Sequence, residues 1–286
     1  MCDTCGCGTP GDQVQIRKPG QTPEEEHGHS HDHGHDHGHS HSHDHAHDHA
    51  HGHNHDDAHS HDHGNEAGGR RLIRVEADLL EQNNLMANRN IGYFEALGIF
   101  AINLMSSPGS GKTTLLVRTI RELNNSAKIS VIEGDQQTMN DAEQIHATGV
   151  PVIQVNTGNG CHLDASMIRR AVKDLEPEKE SILFIENVGN LVCPSLFDLG
   201  ERRRVVIVSV TEGEDKPLKY PTMFERADLC IYNKTDLLPH LEFDLERSME
   251  YARQVNPALQ FLRLSAKSGE GVGEWIQWIL EERQRF

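Results

Sequence analysis

The spacing of apolar and polar positions divides the chain near residue 70. Residues 9–69 carry almost no large apolar side chains. Such a stretch cannot bury enough surface to offset the entropy of ordering itself, and the pattern predicts disorder. Beyond it, short apolar runs at 99–105, 129–132, 152–155, 182–185, 205–210, 229–232 and 261–264 read as strands. Segments of helical periodicity at 112–123, 138–147, 163–174, 241–254 and 272–284 separate several of them. A lead-in helix is predicted over 72–97, with Leu72, Val75, Leu79, Leu80 and Leu85 as its apolar stripe. Continuously apolar strands alternating with helices describe an α/β fold with a mostly parallel sheet covered on both faces. Ligands are expected at the carboxyl ends of its strands.

The segment Ser106-Ser-Pro-Gly-Ser-Gly-Lys-Thr-Thr114 follows the first of these strands and opens a helix. That is the context of a phosphate loop. Backbone N–H groups from Ser107, Gly109, Ser110 and Gly111, with the helix N-terminus at Lys112, Thr113 and Thr114, can surround phosphates. Lys112 is expected to reach the β- and γ-phosphates, and the Thr113 hydroxyl to bind Mg²⁺. Ser106 stands where the usual loop has its first glycine.

Asn233-Lys-Thr-Asp236 ends a later strand. A carboxylate at Asp236 can accept from both N1–H and the exocyclic amine of guanine, whereas adenine leaves it unpaired. Ser265, Ala266 and Lys267 follow the last strand, where a loop backbone can meet the guanine carbonyl. Three elements in this order, each at a strand end, point to GTP rather than ATP. Two further strand ends are acidic, Glu133-Gly-Asp135 and Glu186-Asn-Val-Gly189. Asp135 is assigned to Mg²⁺ or to orienting the attacking water. Glu186 is placed near that metal, with Gly189 sensing the γ-phosphate. Helix capping or surface charge is the alternative for both acids.

Composition adds a second chemistry. The 286 residues suffice for one core of roughly 200 residues and an appendage. The net charge of −17 is concentrated before residue 70, where two basic residues face thirteen acidic ones. A chain this acidic lacks the clustered Lys and Arg that nucleic acid requires. No apolar run reaches the length of a membrane span or forms the core of a signal peptide, so the expected location is cytoplasmic.

Six cysteines in such a chain favour metal or free thiols over disulfides. Cys2, Cys5 and Cys7 form C-x-x-C-x-C, able to wrap one ion, either a square-planar Ni²⁺ with backbone help or a Zn²⁺ with a fourth ligand. Eighteen of the 21 histidines lie within 27–63. They alternate with small or acidic residues through His31, His33, His35, His37, His39, His41, His43, His45, His47, His49, His51 and His53, a multidentate chelator suited to storage. Cys161, His162 and Cys193 are further candidate ligands, with buried structural thiols as the alternative. Cys230 sits mid-strand and reads as core; His146 and His240 read as ordinary helix and loop residues.

The strings SSPGSGKTTLL, VIEGDQQT, NTGNGCHLDA, FIENVGNLVCP, SVTEGEDKPLKYP and NKTDLLP, with the N-terminal Cys cluster, resemble the HypB family, the nickel-insertion GTPases of [NiFe]-hydrogenase maturation. The resemblance covers that cluster and essentially all of residues 70–286. It implies a P-loop GTPase fold of the signal-recognition-particle/MinD-like class. It implies tight nickel at Cys2, Cys5 and Cys7, and a second nickel or zinc site at Cys161, His162 and Cys193 shared across a GTP-dependent homodimer. The partners it implies are a HypA-type metallochaperone and the hydrogenase large-subunit precursor. The expected organisation is a Cys-rich motif at 1–8, a His-rich tract at 9–69 and a GTPase domain at 70–286. A GTPase serving another nickel enzyme such as urease, or a nickel storage protein with a vestigial G domain, are the competing readings.

Overall fold

The computed structural model describes residues 14–19, 66–123, 126–136, 139–158 and 160–286, with side chains in the first helix from Asp78 onward. Cys2, Cys5, Cys7 and the histidines of 27–63 lie outside the described residues, as do the side chains of Leu72 and Val75. The chain divides into two compact units, residues 22–75 and residues 1–21 with 76–286. The described part of the first of these is helical, from Glu66. All that follows concerns the second.

In chain order the elements are β1 (Gln15–Arg17), α1 (Glu66–Leu97), β2 (Phe100–Ser106), α2 (Lys112–Leu123), β3 (Ile129–Asp135), α3 (Asn140–His146), β4 (Val152–Asn156), α4 (Ala165–Leu175) and β5 (Ile182–Glu186). Then come α5 (Cys193–Leu196), β6 (Arg203–Ser209), α6 (Lys216–Lys219), α7 (Pro221–Glu225), β7 (Leu229–Asn233), a 3₁₀ turn (Thr235–His240), α8 (Leu245–Val255), β8 (Gln260–Arg263) and α9 (Val272–Gln284). The sheet order among the described residues is β1-β4-β3-β5-β2-β6-β7-β8, parallel except for β1. Helices cover both faces, as the apolar alternation predicts. On one, Phe100, Ile102 and Leu104 pack with Leu116 and Ile120 of α2 and Trp275 and Ile279 of α9. On the other, Ala101, Ile132 and Ile153 pack with Phe94 of α1 and Ile168 and Val172 of α4.

Three differences from the sequence reading have physical causes. β3, β5 and β7 run past their apolar cores into Glu133–Asp135, Glu186 and Asn233, because backbone pairing continues where the side chains turn polar. Residues 15–17, inside the stretch expected to be disordered, form an antiparallel edge strand on β4, with Ile16 opposite Val155. Joining a preformed edge requires only backbone groups and one or two apolar side chains, here Val14 and Ile16. α8 starts at Leu245, later than predicted, because Asp244 caps it by accepting from the Arg247 N–H at 2.9 Å.

The lead-in helix requires the largest correction. It begins at Glu66, and its buried face is Asn83, Ala87, Asn90 and Phe94. Leu79 and Leu85, assigned to the apolar stripe, are 52% and 61% exposed. The helix docks through amides that satisfy loop and helix-end backbone. Asn83 donates to the Asp198 carbonyl and accepts from the Ala165 N–H. Asn90 donates to the carbonyls of Ala165 and Leu199, both at 2.9 Å. Periodicity counted on apolar residues cannot find a face built this way. Among the described residues no helix is long and apolar enough to cross a membrane.

Asn90→Ala strands two buried carbonyls and is expected to cost about 2–4 kcal/mol in urea unfolding. Leu85→Ala should change stability by less than about 0.5 kcal/mol. A larger loss for Leu85→Ala than for Asn90→Ala would contradict the assigned face.

Candidate nucleotide and metal site

The loop between β2 and α2 is built by a small set of cross-braces. Asn233, at the end of β7, donates from Nδ2 to the Ser110 carbonyl at 2.9 Å, while its Oδ1 accepts from the N–H of Lys234 and Ala266. One side chain thereby fixes the phosphate loop, the base-reading turn and the Ser265–Ala266 loop relative to each other. Gly111, at φ +89°, leaves room for this brace, since a Cβ there would lie 2.6 Å from Asn233 Nδ2. Lys234 adopts a left-handed backbone and donates from Nζ to the Gly109 carbonyl at 2.6 Å. Gly189 approaches the loop so closely that a Cβ would sit 3.1 Å from Pro108 Cα.

The result is a cleft of about 510 Å³ between Pro108–Thr114, Asp135, Asp141, Val188 and Gly189. Lys112, Thr113 and Thr114 line it. Asp236, Ser265 and Lys267 are not in its lining and belong to the adjoining turn and loop braced by Asn233. Asp236 Oδ1, Ser107 Oγ, Ser110 Oγ, Glu133 Oε2, Glu186 Oε2 and, within β3, Ser130 Oγ are buried without a hydrogen-bond partner. Orphaned polar atoms of this kind are costly, and four of them, on Ser107, Ser110, Glu186 and Asp236, lie at positions expected to meet nucleotide and Mg²⁺.

Glu186 is fully buried behind the loop. Its Oε1 accepts from the Thr113 hydroxyl at 2.6 Å and lies 3.6 Å from Lys112 Nζ. Burial raises its pKa, and the Lys112 charge opposes that rise. Beside it in register on β3 is Glu133, 2% exposed. Burial, reinforced by the Glu186 carboxylate, pushes Glu133 up to about 8, against a hydrogen bond from Gln154.

Cys161, His162 and Cys193 place their ligand atoms within 4.8 Å of one another. Cys161 Sγ is 3.7 Å from His162 Nδ1. The His162 ring stacks on Phe197 at 3.9 Å, and its burial lowers its pKa, keeping the imidazole in the neutral form that ligates metal. Three donors of N/S type fit a transition metal and leave room for further ligands. Cys230 is fully buried in β7, where burial pushes its thiol up. His146 and His240 are exposed on α3 and the 3₁₀ turn.

Residues 100–263 match the family described as CobW/HypB/UreG, nucleotide-binding domain. The hydrogenase maturation factor HypB of Azotobacter chroococcum is 61% identical over 215 residues, which are 75% of this chain and 70% of that one. The chain belongs to the HypB family of hydrogenase maturation factors. Crystal structures of HypB from Archaeoglobus fulgidus and of HypB from Helicobacter pylori in complex with nickel each superimpose with a TM-score of 0.67. They are 39% and 38% identical, cover 71% of this chain, and are themselves covered to 100% and 96%. The mostly parallel P-loop GTPase fold expected from the resemblance is the one this HypB-family chain has.

Several polar residues of the cleft region were given no role in the sequence reading, among them Gln136 and Gln144 in its lining. Asp141 lines the cleft from the first turn of α3, and Glu133 stands next to Glu186. Glu133 carried a signal, an acid two residues before Asp135 and on the same face of β3, but its burial beside Glu186 follows only from the sheet register. Its raised pKa makes a prediction for the protein without nucleotide or Mg²⁺. Below pH 4.5 both folded and unfolded states hold the proton; between 4.5 and about 8 only the folded state does, so stability falls as pH rises. The loss across that window is on the order of 4 kcal/mol. Glu133→Gln should flatten it, as read from urea midpoints at pH 5 and pH 8; parallel slopes in variant and parent would refute the assignment.

Proposed function

We propose that the protein is a GTP-hydrolysing nickel metallochaperone that stores nickel and assists its insertion into the [NiFe]-hydrogenase large-subunit precursor. The observation that carries this reading is the attachment of the Cys161–His162–Cys193 cluster to the nucleotide cleft. β5 ends in Glu186, behind the phosphate loop, and the same segment runs on through Gly189 to Cys193. A cargo site and a phosphate site built on one segment suit a protein whose grip on metal depends on its nucleotide. The nickel-bound Helicobacter pylori relative supports nickel as the cargo, with zinc as the competing ion.

Guanine selection rests on Asp236, whose orphaned Oδ1 suits the paired donors of that base. Backbone N–H groups of 107–111 cradle the phosphates, and Lys112 leaves Glu186 to meet the β- and γ-oxygens. Thr113 would supply an oxygen donor for Mg²⁺, which would neutralise charge on the transferring phosphate, and Asp135 would either join it or orient the attacking water. Glu186 supports Thr113 from behind, and Gly189 sits where its N–H can follow the γ-phosphate.

The Cys2, Cys5 and Cys7 motif serves as the tight nickel site and the tract at 27–63 as storage. A cytoplasmic homodimer completes the coordination sphere at Cys161, His162 and Cys193, and a HypA-type metallochaperone exchanges metal with it. No contact with nucleic acid or membrane is proposed.

Lys112→Ala is expected to lower GTP turnover at least ~100-fold while leaving nickel binding by the full chain unchanged in stoichiometry. Asp236→Asn should cut the preference for GTP over ATP by ~100-fold or more in competition binding. Replacing Cys2, Cys5 and Cys7 by Ala should remove the tightest nickel class in titration, whereas deleting 27–63 should lower only the number of ions bound. Wild-type turnover in Lys112→Ala would remove the enzyme assignment.

A further inference from the structure

Asn187 is 1% exposed and follows Glu186 directly. Its backbone N–H donates to the Leu104 carbonyl on β2, the strand that runs into the phosphate loop. Its side chain points the other way in function. Oδ1 accepts from the N–H of Leu163 at 3.2 Å and of Val188 at 3.0 Å, and Nδ2 donates to Asn103 Oδ1 at 3.3 Å. Asn103 in turn donates to the buried Glu201, which pairs with Arg204. Asn187 therefore belongs to a buried hydrogen-bonded network, and Leu163, its partner, is the residue immediately after His162.

Leu163 is held a second time. It is fully buried, and a Cβ at Gly134 would fall 2.8 Å from its Cγ and Cδ1. The Leu163 side chain thus fills space that only a glycine leaves at the end of β3, between Glu133 and Asp135. The backbone that presents Cys161 and His162 is pinned by the strand ends that carry Glu186 and Asp135, through a hydrogen bond to Asn187 on one and a packing contact with Gly134 on the other.

We propose that Asn187 and Leu163 are the positioning residues through which bound nucleotide and bound metal affect each other within one subunit. The inference rests on the reading that GTP occupies the cleft and metal the Cys161–His162–Cys193 cluster. Packed interiors shift between discrete arrangements and do not deform smoothly, so a movement of 186–189 toward a γ-phosphate displaces the acceptor of the Leu163 N–H. His162 moves with it relative to Cys193. By linkage, metal drawing His162 toward Cys193 biases the same elements and changes GTP affinity by the same factor. The alternative route runs along the chain from Gly189 to Cys193 and needs neither residue.

The test uses the full chain and nickel. A fluorescent GTP analogue is titrated with and without saturating nickel, and the part of the effect that belongs to this cluster is isolated by subtracting the Cys193→Ala variant. Nickel occupancy at the cluster is read from the thiolate charge-transfer band that Cys193→Ala removes. In the parent, nickel should change GTP affinity by ~5-fold or more. In Asn187→Ala and in Leu163→Ala the factor should fall to within ~2-fold of unity, with metal-free GTP affinity and the charge-transfer band retained. Leu163→Met, which keeps the bulk against Gly134, should keep the parental factor. Leu163→Ala leaves every Asn187 hydrogen bond in place, because those use the residue 163 backbone, so it decides the question if Asn187→Ala does not fold. A parental factor in folded Leu163→Ala overturns the proposal in favour of the route through Cys193. A parent with the charge-transfer band but no nickel effect on GTP also overturns it while leaving the metal site standing; absence of the band overturns the metal reading beneath it.

Discussion

Parallel strands that share one direction bring all their carboxyl ends to one edge of the sheet, and the chemistry of this protein depends on that constraint. β2 delivers the phosphate loop, β3 Glu133 and Asp135, β4 the segment leading to Cys161 and His162, β5 Glu186 and the segment leading to Cys193, and β7 the Asn233 brace with Asp236. Residues more than a hundred positions apart become neighbours without any long-range design beyond the ladder. The antiparallel β1 is the exception at the sheet edge, where Gln15 pairs with Asn156 at that same end of β4.

The interior at this edge is polar where a stable fold alone would prefer apolar side chains. Glu133 and Glu186 stand side by side, one pushed to about 8 by burial and by the other's charge. Asp236, Ser107 and Ser110 keep polar atoms buried without partners. Each such atom costs stability until something binds it. The apolar clusters on the two sheet faces, continuous from Phe100 to Trp275 on one and from Phe94 to Val172 on the other, offset that cost. Asn83, Asn90, Asn103, Asn187 and Asn233 are buried as well, but each bonds a specific partner, so these amides set geometry.

Nucleotide-dependent proteins require two arrangements of nearly equal energy, and the region with the most built-in conflict is the one that joins the two sites. Glu186 binds Lys112 and Thr113, the same side chains that a phosphate and Mg²⁺ would engage. A phosphate at Lys112 would draw that side chain away from Glu186, and Asn187 follows Glu186 directly in the chain. The Leu163 contact with Gly134 closes the circuit on the β3 side.

Local chemistry determined much by sequence alone. A phosphate loop needs small residues and a Lys-Thr pair between strand and helix, and SSPGSGKTT states this within nine residues. The alternation of apolar runs and helical segments is a local property too, so the layered α/β architecture and most element positions could be read directly. The C-x-x-C-x-C motif and the His tract are likewise local patterns, readable as candidate ligand sets without reference to neighbours. What the tertiary structure decided lies in polar residues whose role depends on what they meet. Asn83 and Asn90 make the buried face of α1 only because Ala165, Asp198 and Leu199 present unpaired backbone groups there. Glu133 becomes a raised-pKa acid because folding buries it and the register then sets it against Glu186. Cys161, His162 and Cys193 could be suspected as ligands, yet their convergence within 4.8 Å required folding, since thirty residues and a strand intervene. Hydrophobic pattern is carried by each residue alone and survives in sequence; hydrogen-bond partnership and charge proximity are properties of pairs, and pairs exist only after the chain has closed on itself.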